Sequence, residues 1–324
     1  MAESLLGKLI ADDGEWTAMS IKLSDGSYTR KIPELDYRLR RLVQVAADVM
    51  KKPLSECRVL DLACLEGHYA IEFAMHGAEA VGIEGRDISL RKCNFVKNNL
   101  GLSKLSFFQD DVRNLSVKKY GHFDIVICSG ILYHLKADDL PTFMQEMANV
   151  CTGILLLDTF IALSSQDTQN VNGLALHGHH YFEHSSDDAE QTKQEKLWAS
   201  IDNASSFWLT EPSLVNLLTH AGFTSVSDVL TPTMPGNMAD RKTYLAIKGK
   251  TAPIFSTEIL NAEPLHDIDE GENTFIDDSQ RPRSQFFKLM KGTLPPSVKN
   301  AIKPALRLVG FLPPDSTPDF QKKD

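Results

Sequence analysis

The sequence predicts a doubly wound α/β fold whose seven strands form one mostly parallel sheet, with the last strand antiparallel. From residue 57 onward, short apolar runs alternate with amphipathic segments of helical length, as in β-α-β units joined by right-handed crossovers. Gly77, Gly101 and Gly222 stand where the intervening helices must stop, since glycine accepts the left-handed conformation of a helix terminus. With 324 residues and 42% hydrophobic composition, the chain can bury a sizeable core.

Residues 1–32 read as an irregular or short-stranded lead-in with a turn at Asp25-Gly26. A helix is expected from Pro33 to Met50, because Leu35, Leu39, Leu42, Val43 and Ala46 recur at helical spacing. The first strand, Arg58–Ala63, is apolar enough to be covered on both faces, and a helix from Gly67 to His76 follows. The second strand is Ala80–Glu84, and Asp87 caps a helix to Asn99. Strands are then expected at Leu105–Gln109, Phe123–Cys128 and Gly153–Leu157, with a helix from Asp138 to Asn149 before the last of these. After a long insertion, Thr210 caps a helix through Ala221, and the strands Ser225–Leu230 and Thr243–Lys248 complete the sheet.

The domain organisation follows. Residues 1–52 form the lead-in and its helix, and 53–250 form the sheet domain, interrupted at 159–209 by an insertion of little periodicity that is expected to act as a lid. Residues 251–280 form an acidic linker, and 281–324 a basic amphipathic tail. The formal charge of -9 disfavours a nucleic-acid partner, because an acidic surface repels phosphates. The 5 cysteines form no CxxC pair and no short Cys/His ligand set, so they are expected to be reduced, buried thiols, and no metal site is expected. Neither a signal peptide nor a membrane-spanning run is evident, which predicts a cytoplasmic protein. The tail could still lie on an anionic membrane, or pack on the chain's own acidic surface.

In a doubly wound sheet, ligands bind beyond the carboxyl ends of the strands. After the first strand stand Asp61, Ala63, Cys64 and Gly67, a turn in which small residues let the backbone approach a ligand. Glu84, about 20 residues on, ends the second strand where an acid can accept hydrogen bonds from both ribose hydroxyls. The positions that GxGxxG would give to glycine hold Ala63, Leu65 and His68, which argues against a pyrophosphate. A ligand with a ribose and no phosphate fits, and S-adenosylmethionine is one.

At this point residues 57–158 resemble a class I S-adenosylmethionine-dependent methyltransferase. Val59–Gly67 is similar to the family's first motif, with Ala63 and Leu65 in place of two of its usual three glycines. The resemblance implies that the loop from Ala63 to Gly67 lies against the methionine portion of the cofactor and that Glu84 takes the ribose. It implies an adenine-binding acid in Gln109-Asp110-Asp111-Val112-Arg113, with Asp111 the match and Asp110 the competing choice. The run from Cys128 and Ser129 through Tyr133 and His134 to Leu135 is similar to the motif that faces cofactor and acceptor. The wording Gly130–Leu135, with Ser206-Phe207-Trp208, also resembles enzymes related to the tRNA wobble-uridine carboxymethyl-transferring group.

For an oxygen acceptor a general base helps, and His134 sits where one belongs, although it could instead hold the loop. Tyr133 could pack on the cofactor or contact the acceptor. The insertion adds His177, His179, His180, Glu183 and His184, of which His179 and His180 are candidate acceptor-site residues. The expected activity is methyl transfer to a small molecule or sugar, O-directed in the leading reading. RNA modification and a non-catalytic, cofactor-binding regulator are the alternatives.

Overall fold

The computed structural model describes residues 5–18, 20–30, 36–185, 187–189, 192–193, 196–231 and 238–252. The expected linker and basic tail lie, from residue 253 on, outside the described residues.

The fold is the doubly wound α/β sheet the sequence predicts. Strands β1 (Arg58–Leu62), β2 (Glu79–Glu84), β3 (Leu105–Gln109), β4 (Phe123–Ser129) and β5 (Cys151–Phe160) run parallel. With β9 (Ser225–Asp228) and β10 (Arg241–Ile247) they form a seven-stranded sheet in the order β3-β2-β1-β4-β5-β10-β9. Strand β10 is antiparallel to both neighbours, as expected of the last strand. The order reverses between β1 and β4, which opens a crevice at their carboxyl ends.

Alternation along β1 and β4 feeds two cores. Val59, Ile125 and Ile127 meet Leu42 and Ala46 of α2 (Tyr37–Val49), Ala70 and Phe73 of α3 (His68–Met75), and Val96 of α4 (Asp87–Asn99). Leu60, Leu62 and Val126 meet Phe143 and Met147 of α6 (Leu140–Val150), which follows the short α5 (Val117–Tyr120), and Leu217 of α7 (Glu211–His220). Both faces of the sheet are covered, which is why these strands read as unbroken apolar runs.

Two expectations are corrected. The lead-in begins with a helix, α1 (Leu5–Asp13), whose Leu6, Leu9 and Ile10 pack against the core; only then come the turn around Gly26 and the bridge between Lys22 and Tyr28. The insertion is not irregular. It forms a three-stranded antiparallel sheet of β6 (Asp167–Val171), β7 (Leu174–Phe182) and β8 (Ser205–Leu209). Its β6–β7 hairpin turns on Asn172 and Gly173, at φ 53° and 87°, the dipeptide that favours such a two-residue turn. That pair was the signal available in the sequence; polar β7, with three histidines, hides its alternation.

Candidate functional site

The loop between β1 and α3 keeps a glycine-type backbone without the glycines. Ala63, Leu65 and Gly67 all lie in the left-handed region, at φ 50°, 52° and 81°. The Gly67 N–H donates to the Cys64 carbonyl at 2.7 Å, closing a tight turn. A Cβ at Gly67 would meet Phe107 at 2.8 Å, so this position alone of the three also needs glycine for space. Asp61 is fully buried behind the turn and accepts the Ala70 N–H at 3.1 Å, tying the strand end to α3. Burial, with a further push from the Glu84 carboxylate, raises the Asp61 carboxyl to about 7 against the bond from Ala70.

Glu84 lies beside this loop. Its carboxylate accepts the Leu65 and Arg86 N–H groups, each at 2.8 Å, so it braces the loop while standing at the end of β2. Burial pushes its carboxyl above the usual range, opposed by those two bonds. Cys64 packs against Cys93 and Gly82, and burial pushes its thiol far from ionisation, so it serves packing.

After β3 the two acids part ways. Partial burial of Asp110 is outweighed by hydrogen bonds from Lys119 (2.5 Å), Tyr120 and Asn114, which hold its carboxyl at about 2. Asp111 caps the turn Val112–Asn114 and is gripped by Arg113, whose Nη2 also reaches Asp202 of the insertion at 2.6 Å. Val112 is buried in the core cluster that also holds Leu60 and Ile83.

At the end of β4, the Ser129 hydroxyl lies 3.3 Å from the Tyr69 hydroxyl. The Tyr133 ring meets Phe160 edge-on at 4.9 Å and Trp208 at 5.9 Å, and burial raises its phenol, keeping it a donor. His134 Nδ1 lies 2.8 Å from Glu183 Oε1, and Glu183 also accepts from Ser206 Oγ and from the Ser200 N–H. Burial of the Glu183 carboxylate opposes its ionisation, yet the bond from His134 leads those that hold it below the usual range. An ionised carboxylate only accepts, so Nδ1 carries the hydrogen of this bond, and in the neutral ring Nε2 is the nitrogen that can accept a proton.

Period-two alternation explains how the insertion reaches this point. His179 pairs with Trp208, and Tyr181 with Ser206, so these four share one face of the small sheet, with Glu183 two residues further along. Trp208 stacks on Tyr181 at 4.6 Å and on Phe160 at 5.0 Å, and His179 lies against it at 5.5 Å. His180 falls on the other face, against Phe207 and 3.3 Å from Asp167, away from His134. His177 bonds Thr168, and His184 donates to the Ser200 carbonyl at 2.6 Å. Among the described residues no group of three or more His, Cys, Asp or Glu could hold a metal ion.

Residues 196–203 then cross the strand ends. Arg86 donates to the carbonyls of Lys196 and Ala199, Ile201 sits over Gly85, and Asn203 donates to the His134 carbonyl at 2.9 Å. The sequence reading missed a further group at the end of β5. Asp158, 1% exposed, accepts from Arg241 Nε at 2.8 Å and Thr243 Oγ1 at 2.7 Å, and pairs with Arg38 at 3.1 Å. Its signal was the same as that of Glu84: an acid ending an apolar strand.

Residues 53–204 match a family model described as a methyltransferase domain. The 23S rRNA (uracil(1939)-C(5))-methyltransferase RlmD of Shewanella baltica is 30% identical over 107 residues, covering 32% of this chain and 22% of that protein. The tRNA U34 carboxymethyltransferase of Helicobacter pylori is 28% identical over 117 residues, 36% of this chain and 45% of that one. The chain thus spans less than half the length of either relative. Among solved structures, the N-terminal domain of EvdMO1, crystallised in the presence of SAH and D-fucose, shares the fold, with 21% identity and a TM-score of 0.57 over 75% of this chain and 94% of that one. The same domain with SAH bound superposes with a TM-score of 0.51 at 24% identity, over 66% of this chain and 81% of that one. The reversal of strand order at β1 and β4, the left-handed loop there and the family match across both lead to one conclusion: the chain carries a class I S-adenosylmethionine-dependent methyltransferase domain.

Proposed function

We propose that the chain methylates a hydroxyl group of a small-molecule or sugar acceptor, with His134 as general base. The observation that carries this is the 2.8 Å bond between His134 Nδ1 and the buried Glu183 carboxylate at the end of β4. S-adenosylmethionine supplies a methyl group on a sulfonium already activated for displacement, so the protein has to align, desolvate and move one proton. Glu84 accepts the ribose hydroxyls, and Ala63, Gly67 and Ser129 line the path from the loop toward β4. Asp111, held by Arg113 but with its side chain 38% exposed against 10% for Asp110, is the more accessible acid to meet the adenine. His134 takes the acceptor proton on Nε2, and Glu183 fixes the tautomer and steadies the imidazolium that results. Tyr133, His179, Tyr181 and Trp208 supply aromatic faces against which a sugar ring can stack. A sugar acceptor is further supported by the structural neighbour solved in the presence of D-fucose.

The test is methyl transfer from labelled cofactor to a panel of monosaccharides and phenols. His134→Ala is expected to cost about 10²–10⁴-fold in turnover while cofactor affinity holds. Turnover unchanged in that variant would leave His134 as a loop-holding residue.

The second reading is an RNA acceptor, which the names of the two sequence relatives favour. The net charge of -9 weighs against it.

A further inference from the structure

The segment before the first helix of the sheet domain carries a pattern that the reaction so far leaves unused. Its backbone is held firmly. The Thr17 N–H meets both oxygens of the buried Glu66 carboxylate at 3.0 and 2.9 Å, and the Ala18 N–H reaches one of them at 3.3 Å. Arg30 grips the Ala18 carbonyl at 2.6 Å, and Ile21 is paired with Thr29 through its N–H and its carbonyl. Lys92 closes the other side of Glu66 at 3.0 Å, and Trp16 packs its ring near Lys92 and Phe95. The side chains on this fixed backbone are another matter. Trp16 Nε1, Thr17 Oγ1 and Ser20 Oγ are all buried without a hydrogen-bond partner among the described residues.

Buried polar atoms are almost always paired, so three orphans close together in the lead-in need a reason. Their position offers one. Glu66, which anchors Thr17, belongs to the left-handed loop Ala63–Gly67, the same loop that Glu84 braces through the Leu65 N–H. The ribose is assigned to Glu84 and the methionine portion to the loop Ala63–Gly67, so the lead-in anchored on that loop adjoins the portion of the cofactor beyond its sulfur. That portion ends in an amino-acid group, an ammonium and a carboxylate. A hydroxyl serves either charge, donating to the carboxylate or accepting from the ammonium.

We propose that Thr17 and Ser20 bind the amino-acid end of S-adenosylmethionine, making the lead-in segment a wall of the cofactor site. This rests on the assignment of the cofactor and not on the identity of the acceptor. It gives the lead-in a task that no motif in the sequence reports, and it makes affinity depend on residues well outside the matched methyltransferase region 53–204.

The test is calorimetric titration of the full chain with S-adenosylhomocysteine and with 5′-methylthioadenosine, which keeps the nucleoside and the sulfur and lacks the amino-acid group. Thr17→Val and Ser20→Ala are expected each to weaken S-adenosylhomocysteine by about tenfold, the effect of losing one hydrogen bond to a charged group, and to leave methylthioadenosine unchanged. Thr17→Ser, which restores the hydroxyl, is expected to bind like the parent. Variants that bind S-adenosylhomocysteine as the parent does, or that lose both ligands equally, would overturn the inference and leave the cofactor site standing. A parent chain that binds neither ligand would overturn the cofactor assignment itself.

Discussion

Ala63 and Leu65 hold a left-handed backbone that their Cβ atoms oppose, at φ 50° and 52°. Such a conformation costs an L-residue about 1–2 kcal/mol, and a glycine introduced there gives back part of the gain through its freer unfolded chain. Ala63→Gly is therefore expected to stabilise the fold by a net ~0.5–1 kcal/mol, read from urea unfolding. Gly67→Ala should do the reverse, because its Cβ would press on Phe107. Asp61 makes a second residue-scale prediction. Burial raises its folded-state carboxyl from 3.8 to about 7, so the native state retains a proton that the unfolded state releases. Stability from this group is fullest below the unfolded value and declines as pH rises through 3.8 toward 7. Asp61→Asn keeps an acceptor for the Ala70 N–H and removes this penalty. Its unfolding midpoint should exceed the parent's by a margin that grows from pH 5 to pH 8. An equal margin at both would rule out the buried-proton account.

At the scale of elements, the small sheet is what brings Glu183 to His134 and Trp208 to Tyr133. Its strands β7 and β8 meet at Gly178, where a Cβ would stand 2.0 Å from the Trp208 carbonyl, a contact that only glycine avoids. Gly178→Ala should force β7 and β8 apart and lower methyl transfer by at least tenfold. Cofactor affinity, which we assign to the loop and Glu84 on other elements, should change little. Loss of both together would mean that the small sheet also supports the main one. The strands of the main sheet were legible because burial on both faces leaves continuous apolar runs such as Ile154–Leu157. Strand β7 was not, because the face with His177, His179 and Tyr181 carries polar and aromatic residues in place of aliphatic ones. The helix α1 escaped notice for a similar reason: its segment is short, and its apolar residues have meaning only against the core they cover.

For the molecule as a whole, charge decides among partners. A chain with a net charge of -9 repels a phosphate backbone unless cations gather at the site. Binding to single-stranded RNA is expected to be undetectable by gel shift at 0.15 M salt. Tight binding with a steep loss between 50 and 200 mM salt would favour the RNA reading instead. Among the described residues no helix is long and apolar enough to cross a membrane.

The sequence by itself determined the doubly wound order of strands and helices, the tight turn after β1 and the acid at the end of β2. All are local patterns: apolar period, helix punctuation, and an acid or glycine at a strand end, each written within about ten residues. The tertiary structure alone decided which of several histidines meets a carboxylate, since His134 and Glu183 are 49 residues apart, and Asp158 and Arg241 are 83 apart. It alone set His180 on the far face of the small sheet and laid the lead-in on Glu66. Such pairings depend on strand order, register and the path of the intervening chain, none of which leaves a periodic trace in the residues that finally touch.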